Sequence, residues 1–266
     1  LFQFSAKTSL GFLGPIYVIF LPAIGLVLVV WLVKRYAPEA RGHGVPEVMY
    51  AVRRRGGRIR ARVAGVKALA SAICIGSGGS VGREGPIVQI GSSLGSTLGQ
   101  ILGLRQEQVK VLLACGAAAG VGGTFNAPIA GVFFAMEVIL GSFAAKSFGM
   151  VVMASVTSTA LVQSFLGRAP AFPLTEVFTL TSSVELLFYM GLGVFSGVVS
   201  VTYVRVLYFM EDLFDRARGS ALLKALVGGL LVGILGYGGI ALEWPYLYGV
   251  GYEGIEHVLA LGQNPS

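Results

Sequence analysis

Gly82-Arg83-Glu84-Gly85-Pro86 heads the run Ile-Val-Gln-Ile-Gly-Ser-Ser-Leu-Gly-Ser-Thr-Leu-Gly-Gln-Ile at 87–101. It puts one carboxylate at the head of a segment, 85–104, that holds no Asp, Glu, Lys or Arg of its own. Glycines let the chain turn tightly, and a proline fits the first turn of a helix because its missing N–H would be unpaired there anyway. The same order of glycines, then a proline or an acid, then an apolar helix occurs at Arg41-Gly42-His43-Gly44-Val45-Pro46-Glu47 and at Gly123-Thr124-Phe125-Asn126-Ala127-Pro128.

The surrounding composition excludes a soluble protein. The chain is 55% hydrophobic and 12% charged, with mean hydropathy +0.77, whereas soluble domains carry about 25% charged residues. Ranges 11–33, 111–136, 147–167, 186–204 and 225–242 contain no Asp, Glu, Lys or Arg. A bilayer core of about 30 Å needs roughly 20 apolar residues as a helix, so each range is a candidate span or part of one. The pattern predicts helices over 9–36, 44–55, 62–77, 85–103, 107–123, 128–141, 147–167, 183–217 and 221–241. The segments 44–55 and 128–141 are too short to cross. Broken helices are tolerated at membrane depth where their backbone is buried or lines a cavity. The expectation is an all-α, polytopic membrane helix bundle with broken, tilted helices, forming a single transmembrane domain over 1–266.

The formal charge of +7 comes largely from Arg53, Arg54, Arg55, Arg58, Arg60 and Arg62, with Lys67 just beyond. A short basic stretch between apolar segments reads as a cytoplasmic loop rather than a nucleic-acid site. Arg216, Arg218 and Lys224 suggest a second such loop. Trp244, Tyr246, Tyr248 and Tyr252 in the tail fit either a membrane–water interface or ordinary aromatic packing. No nucleophile–base pair suggests an enzyme, the histidines are His43 and His257, and neither a metal nor a cofactor is expected. The run 76–86 lacks the Lys-Ser/Thr ending of a phosphate-binding loop. Gly91, Gly95 and Gly99, and Gly116 with Gly120, have the spacing of close helix-packing faces.

A helix start with bare N–H donors binds anions, because those groups point outward and the aligned peptide dipoles place about half a positive charge there. Several converging starts would hold a partly dehydrated anion without a full positive charge, and so without binding it too tightly to release. Glu84 would then be a competitor for the ion. Held by its own helix start or by the anion site, it could swing out or take a proton and so act as a gate.

At these residues the sequence resembles the CLC chloride channels and chloride/proton antiporters. Gly82 to Pro86 matches that family's Gly-Lys/Arg-Glu-Gly-Pro signature fully. Gly42 to Glu47 matches its Gly-Ser-Gly-Ile-Pro-Glu signature except at His43 and Val45. Tyr36-Ala-Pro-Glu-Ala40, Gly116-Ala-Ala-Ala-Gly120 and Phe125-Asn-Ala-Pro128-Ile-Ala-Gly131 through Glu137 are also family-like. The resemblance is close over about 25–140 and looser beyond. It implies a multi-pass cell-membrane protein in the lipid bilayer, a homodimer with one pathway per subunit, and chloride or a similar small anion as its cargo. Residues 1–145 would be most of a first repeat and 183–266 the start of an inverted second repeat. The pathway would be lined by Gly42, His43, Gly44, Val45, Pro46, Gly82, Arg83, Gly85 and Pro86, with Glu84 as the gate.

Two departures matter. His43 stands where the family has a pore serine; imidazole is bulkier and donates through one nitrogen, or two when protonated. Val138 stands where the antiporters carry an internal proton-passing glutamate, and the neighbouring Glu137 lies about 100° around the helix. Valine cannot carry a proton, which favours passive, channel-like conduction. The alternatives are a proton-coupled chloride or fluoride antiporter and a non-conducting truncated scaffold. The scaffold reading draws on the lack of a Gly-x-Phe-x-Pro break after residue 141, which the family's second half supplies to the anion site, so that an incomplete pathway is expected.

Overall fold

The computed structural model describes residues 17–168, 182–242 and 246–263; the expected helical start at residue 9 and Trp244 lie outside them. The described residues are helical, with no strand. Ten helices are named here in chain order: α1 (Tyr17–Tyr36), α2 (Val45–Arg54), α3 (Arg62–Gly76), α4 (Glu84–Ile101), α5 (Gln106–Phe125), α6 (Pro128–Phe134), α7 (Ala145–Leu166), α8 (Glu185–Arg216), α9 (Ala221–Ala241) and α10 (Tyr252–Gln263). α1, α5, α7, α8 and α9 are long and apolar enough to cross a membrane. They coincide with the five charge-free ranges, except that 111–136 is interrupted at Asn126, whose φ of 55° ends α5 in the left-handed region. The expected single helix 128–141 is α6 continued by a π-wound turn, Ala135–Leu140. That winding faces Val138 toward the apolar core and leaves Glu137 exposed.

The core is made of small and branched residues from α2, α4, α5, α6 and α7, among them Val48, Val88, Leu113, Ala117, Val132 and Val151. Close backbone approach makes it possible. A Cβ added at Gly91 would lie 2.2 Å from the Gly116 carbonyl oxygen, and one at Gly116 would lie 2.0 Å from that of Gly91. In lipid, where apolar side chains gain little by leaving their surroundings, such contact is what holds helices together. The expected small-residue faces are the α4–α5 interface. α1 and α9 pair the same way: a Cβ at Gly233 would lie 2.1 Å from the Ile19 carbonyl oxygen.

A polar stripe on α4 clamps the arginine-rich connection between α2 and α3. The Ser96 hydroxyl donates to the Gly57 carbonyl at 2.6 Å and accepts from the Ile59 N–H at 2.9 Å. Gln100 donates to the Ile59 carbonyl at 2.8 Å, and the Ser93 hydroxyl to that of Arg60 at 3.2 Å. The loop also carries ion pairs between Arg60 and Glu39 and, at 3.2 Å, between Arg55 and Glu47. At Glu39, burial favours the neutral acid, but the Arg60 hydrogen bonds and the charges of Arg60 and Arg55 outweigh it and hold the carboxyl below its ordinary range. α8 buries none of its residues; its outward Leu187, Phe188, Val194 and Phe195 require lipid or further protein around them.

Candidate functional site

The first two helix breaks meet backbone to backbone. Gly44, at φ 92°, caps α2, and a Cβ there would lie 2.6 Å from the Gly85 carbonyl oxygen. A Cβ at Gly85 would lie 2.0 Å from the His43 carbonyl oxygen. Nothing but glycine fits at either position, so these residues bring the starts of α2 and α4 together. Among the described residues no acceptor takes the N–H groups of Val45, Glu47, Glu84 or Gly85, as the geometry of a helix start dictates.

Beside this junction lies a cavity of about 740 Å³. Gly42, His43, Val45, Gly82, Glu84, Gly85 and Pro86 line it, so six expected pathway residues and the expected gate share one space. Gly44, Pro46 and Arg83 do not line it: Gly44 is buried under the junction, Pro46 is exposed, and Arg83 stacks behind. Glu137 and Val138 are also outside it. Phe214 and Asp215 at the end of α8, with Lys224 and Gly228 on α9, form another wall.

The third break is not part of the site. Its surroundings are filled by α7: Ser155 donates to the Pro128 carbonyl at 2.8 Å, Ser158 to that of Ala119 at 2.8 Å, and Gln163 to the Asn126 side-chain oxygen at 2.6 Å. The expectation of three like breaks is corrected to two that converge and one that packs.

The cradle is not free of full positive charge either. Lys67 does not belong to the basic loop; it is 6% exposed on α3 and lines the cavity. Its ammonium donates to the carbonyls of Ala40 at 3.0 Å and Gly42 at 2.7 Å. No carboxylate pairs with it among the described residues. Gln89 adds a bond to the Glu39 carbonyl at 3.0 Å. Together these side chains hold the 39–42 segment in place. Lys67's position among small apolar residues was the available sequence signal, hidden by the six arginines just before it.

The Glu84 carboxylate lies back over Gly82, where an added Cβ would sit 1.9 Å from its Oε2. Its hydrogen bond among the described residues comes from the Tyr252 hydroxyl, at 3.0 Å to Oε1, not from the first-turn amides of α4. Tyr252 was expected only as part of an aromatic tail. That tail packs inward: Tyr248 donates to the Gly233 carbonyl at 3.0 Å and Tyr246 stacks on His257.

A family model described as voltage gated chloride channel matches residues 25–264. The chain belongs to the CLC family. It is 33% identical over 214 residues to a ClcB-like chloride channel protein of Ralstonia nicotianae, covering 79% of this chain and 48% of that protein. It is 36% identical over 212 residues to the H(+)/Cl(-) exchange transporter ClcA of Yersinia pestis, covering 77% and 44%. It is 35% identical over 206 residues to chloride channel protein CLC-f of Arabidopsis thaliana, covering 76% and 26%. The chain thus spans at most about half the length of these relatives. Among solved structures, a slow cyanobacterial Cl-/H+ antiporter aligns with a TM-score of 0.74 at 27% identity, over 88% of this chain and 55% of that one. A CLC-type fluoride/proton antiporter aligns at 0.80 and 24% identity, over 99% and 65%, a likeness of fold. As a CLC chain with five membrane-capable helices, it is a multi-pass membrane protein.

Proposed function

We propose that this chain carries the first-half wall and the gate of a pathway that moves chloride or a similar small anion across a membrane, with Glu84 as the gating carboxylate. The observation that carries this reading is the contact of the α2 and α4 starts beside a cavity that also holds Glu84 and Lys67. Bare amides, helix dipoles and the buried Lys67 ammonium attract an anion there. A carboxylate within reach of the same donors competes with it.

Val138, packed against apolar neighbours, supports channel-like conduction without proton coupling. A second reading, proton-coupled exchange, is supported by the ClcA relatives, which are named as exchangers. It stands at least level with the first, because a solved Cl-/H+ antiporter matches at 27% identity. The assembly proposed is a homodimer in which 183–266 supplies the start of the second repeat. Flux and reversal potential of the purified protein in liposomes under a proton gradient separate these readings. A passive channel ignores the gradient, an exchanger shifts with it, and a scaffold gives no flux. Glu84→Ala should change the flux; equal flux in wild type and variant removes Glu84 from the mechanism.

A further inference from the structure

The loop before α10 is tied to the segment before α4 at three places, although Glu84 and Tyr252 are 168 residues apart. The Tyr252 hydroxyl donates to Glu84. The Arg83 guanidinium lies over the Tyr252 ring, 4.8 Å from its centre. The Val81 N–H donates to the Gly249 carbonyl at 3.2 Å. Gly249 and Gly251, with φ of 76° and 80°, supply the turn that delivers Tyr252 to the first position of α10.

These contacts have a consequence for the carboxylate. An acid at a helix start ordinarily takes hydrogen bonds from the first free amides of that helix. Here the Glu84 side chain turns the other way, over Gly82 and onto Tyr252, leaving the Glu84 and Gly85 amides free. A phenol O–H to a carboxylate is a charge-assisted bond, strong enough to compete with those amides. The Arg83 cation on the ring fixes the phenol's plane.

We propose that Tyr252 is a positioning residue that parks the Glu84 carboxylate away from the amide donors and so keeps the cradle open to the anion. This rests on the reading that Glu84 contests that cradle. Without the hydroxyl, the carboxylate returns to the α4 amides and the ion is excluded more of the time.

The test is a double-substitution cycle, read as chloride flux from liposomes. Tyr252→Phe deletes the hydroxyl and keeps the ring on Arg83. It should lower flux about tenfold, the effect of one hydrogen bond to a charged group. In the Glu84→Ala background the same substitution should change flux less than about twofold, since no carboxylate remains to be parked. A melting temperature matching wild type shows that Tyr252→Phe has folded. An unaltered or raised flux in Tyr252→Phe overturns the parking role, as does an equal fall in both backgrounds, which marks a merely structural residue. Flux unchanged by Glu84→Ala alone overturns the gate itself and the parking role with it.

Discussion

The junction at 42–46 and 82–86 and the break at 123–128 are written in the same way and end differently. Each has glycines, a proline near a helix start and an apolar helix beyond. The first two face each other, and each glycine is needed because the other backbone is in the way. The third faces α7, whose Ser155, Ser158 and Gln163 occupy its surroundings. A broken membrane helix therefore makes either a site or a packing joint, and the element opposite decides which.

The sharpest way to break this comparison is a methyl group at each place. Gly85→Ala meets the His43 carbonyl at 2.0 Å, backbone that cannot move without parting the two helix starts. Anion flux in liposomes should fall at least about a hundredfold, since displacements of about 1 Å at a site cost that much. Gly123→Ala meets the Ser158 hydroxyl at 2.8 Å, the end of a side chain that can rotate. Its flux should stay within about threefold of wild type. Similar losses in both would erase the distinction.

Charge sharpens the contrast next. Lys67→Met removes the buried cation beside the junction, leaving Lys34, Arg41 and Lys224 on the cavity wall, and keeps nearly the same volume. At an effective dielectric constant near 20, a unit charge several ångströms from the ion is worth a few kcal/mol. Anion affinity, measured by titration calorimetry, should weaken about tenfold or more. No loss would remove Lys67 from the determinants of affinity.

A further substitution probes packing away from the breaks. Gly116→Ala places a Cβ 2.0 Å from the Gly91 carbonyl oxygen, between two helices. Overpacking of this kind costs about 1–3 kcal/mol, which should appear as a lower melting temperature in detergent.

The smallest effect belongs to the arginine-rich loop. Glu39 has its carboxyl lowered in the folded chain, so its stabilisation is complete above the ordinary Glu value of about 4.3 and disappears as pH falls through the lowered value. Arg60 is 52% exposed at its side chain, so solvent screens the pair and keeps its effect on stability small. Protection factors of the amides over 55–61, which correct for the slowing of exchange in acid, should fall when pH drops below about 4. In Glu39→Gln that fall should be absent.

Much of the fold was legible because lipid imposes it. Charge-free ranges mark the spans, and glycine spacing marks the α4–α5 contact. The breaks were legible as breaks, since proline and glycine act on their own segment. Their pairing was not, because nothing in 123–128 says that Ser155 and Gln163 will lie across from it. Lys67 does not stand out in the sequence because six arginines precede it, the last of them, Arg62, on the same helix. Tyr252 was missed for a related reason: a contact across 168 residues leaves no local trace, and the residue was grouped with neighbouring aromatics.

An anion held where the starts of α2 and α4 meet would be visible in crystals of the protein grown in bromide and measured at the bromine absorption edge. An anomalous peak is expected in the cavity between His43 and Gly85, within hydrogen-bonding reach of the α4 amides, and a stronger one in Glu84→Ala. Bromide bound elsewhere, with that junction empty in both proteins, would contradict that placement.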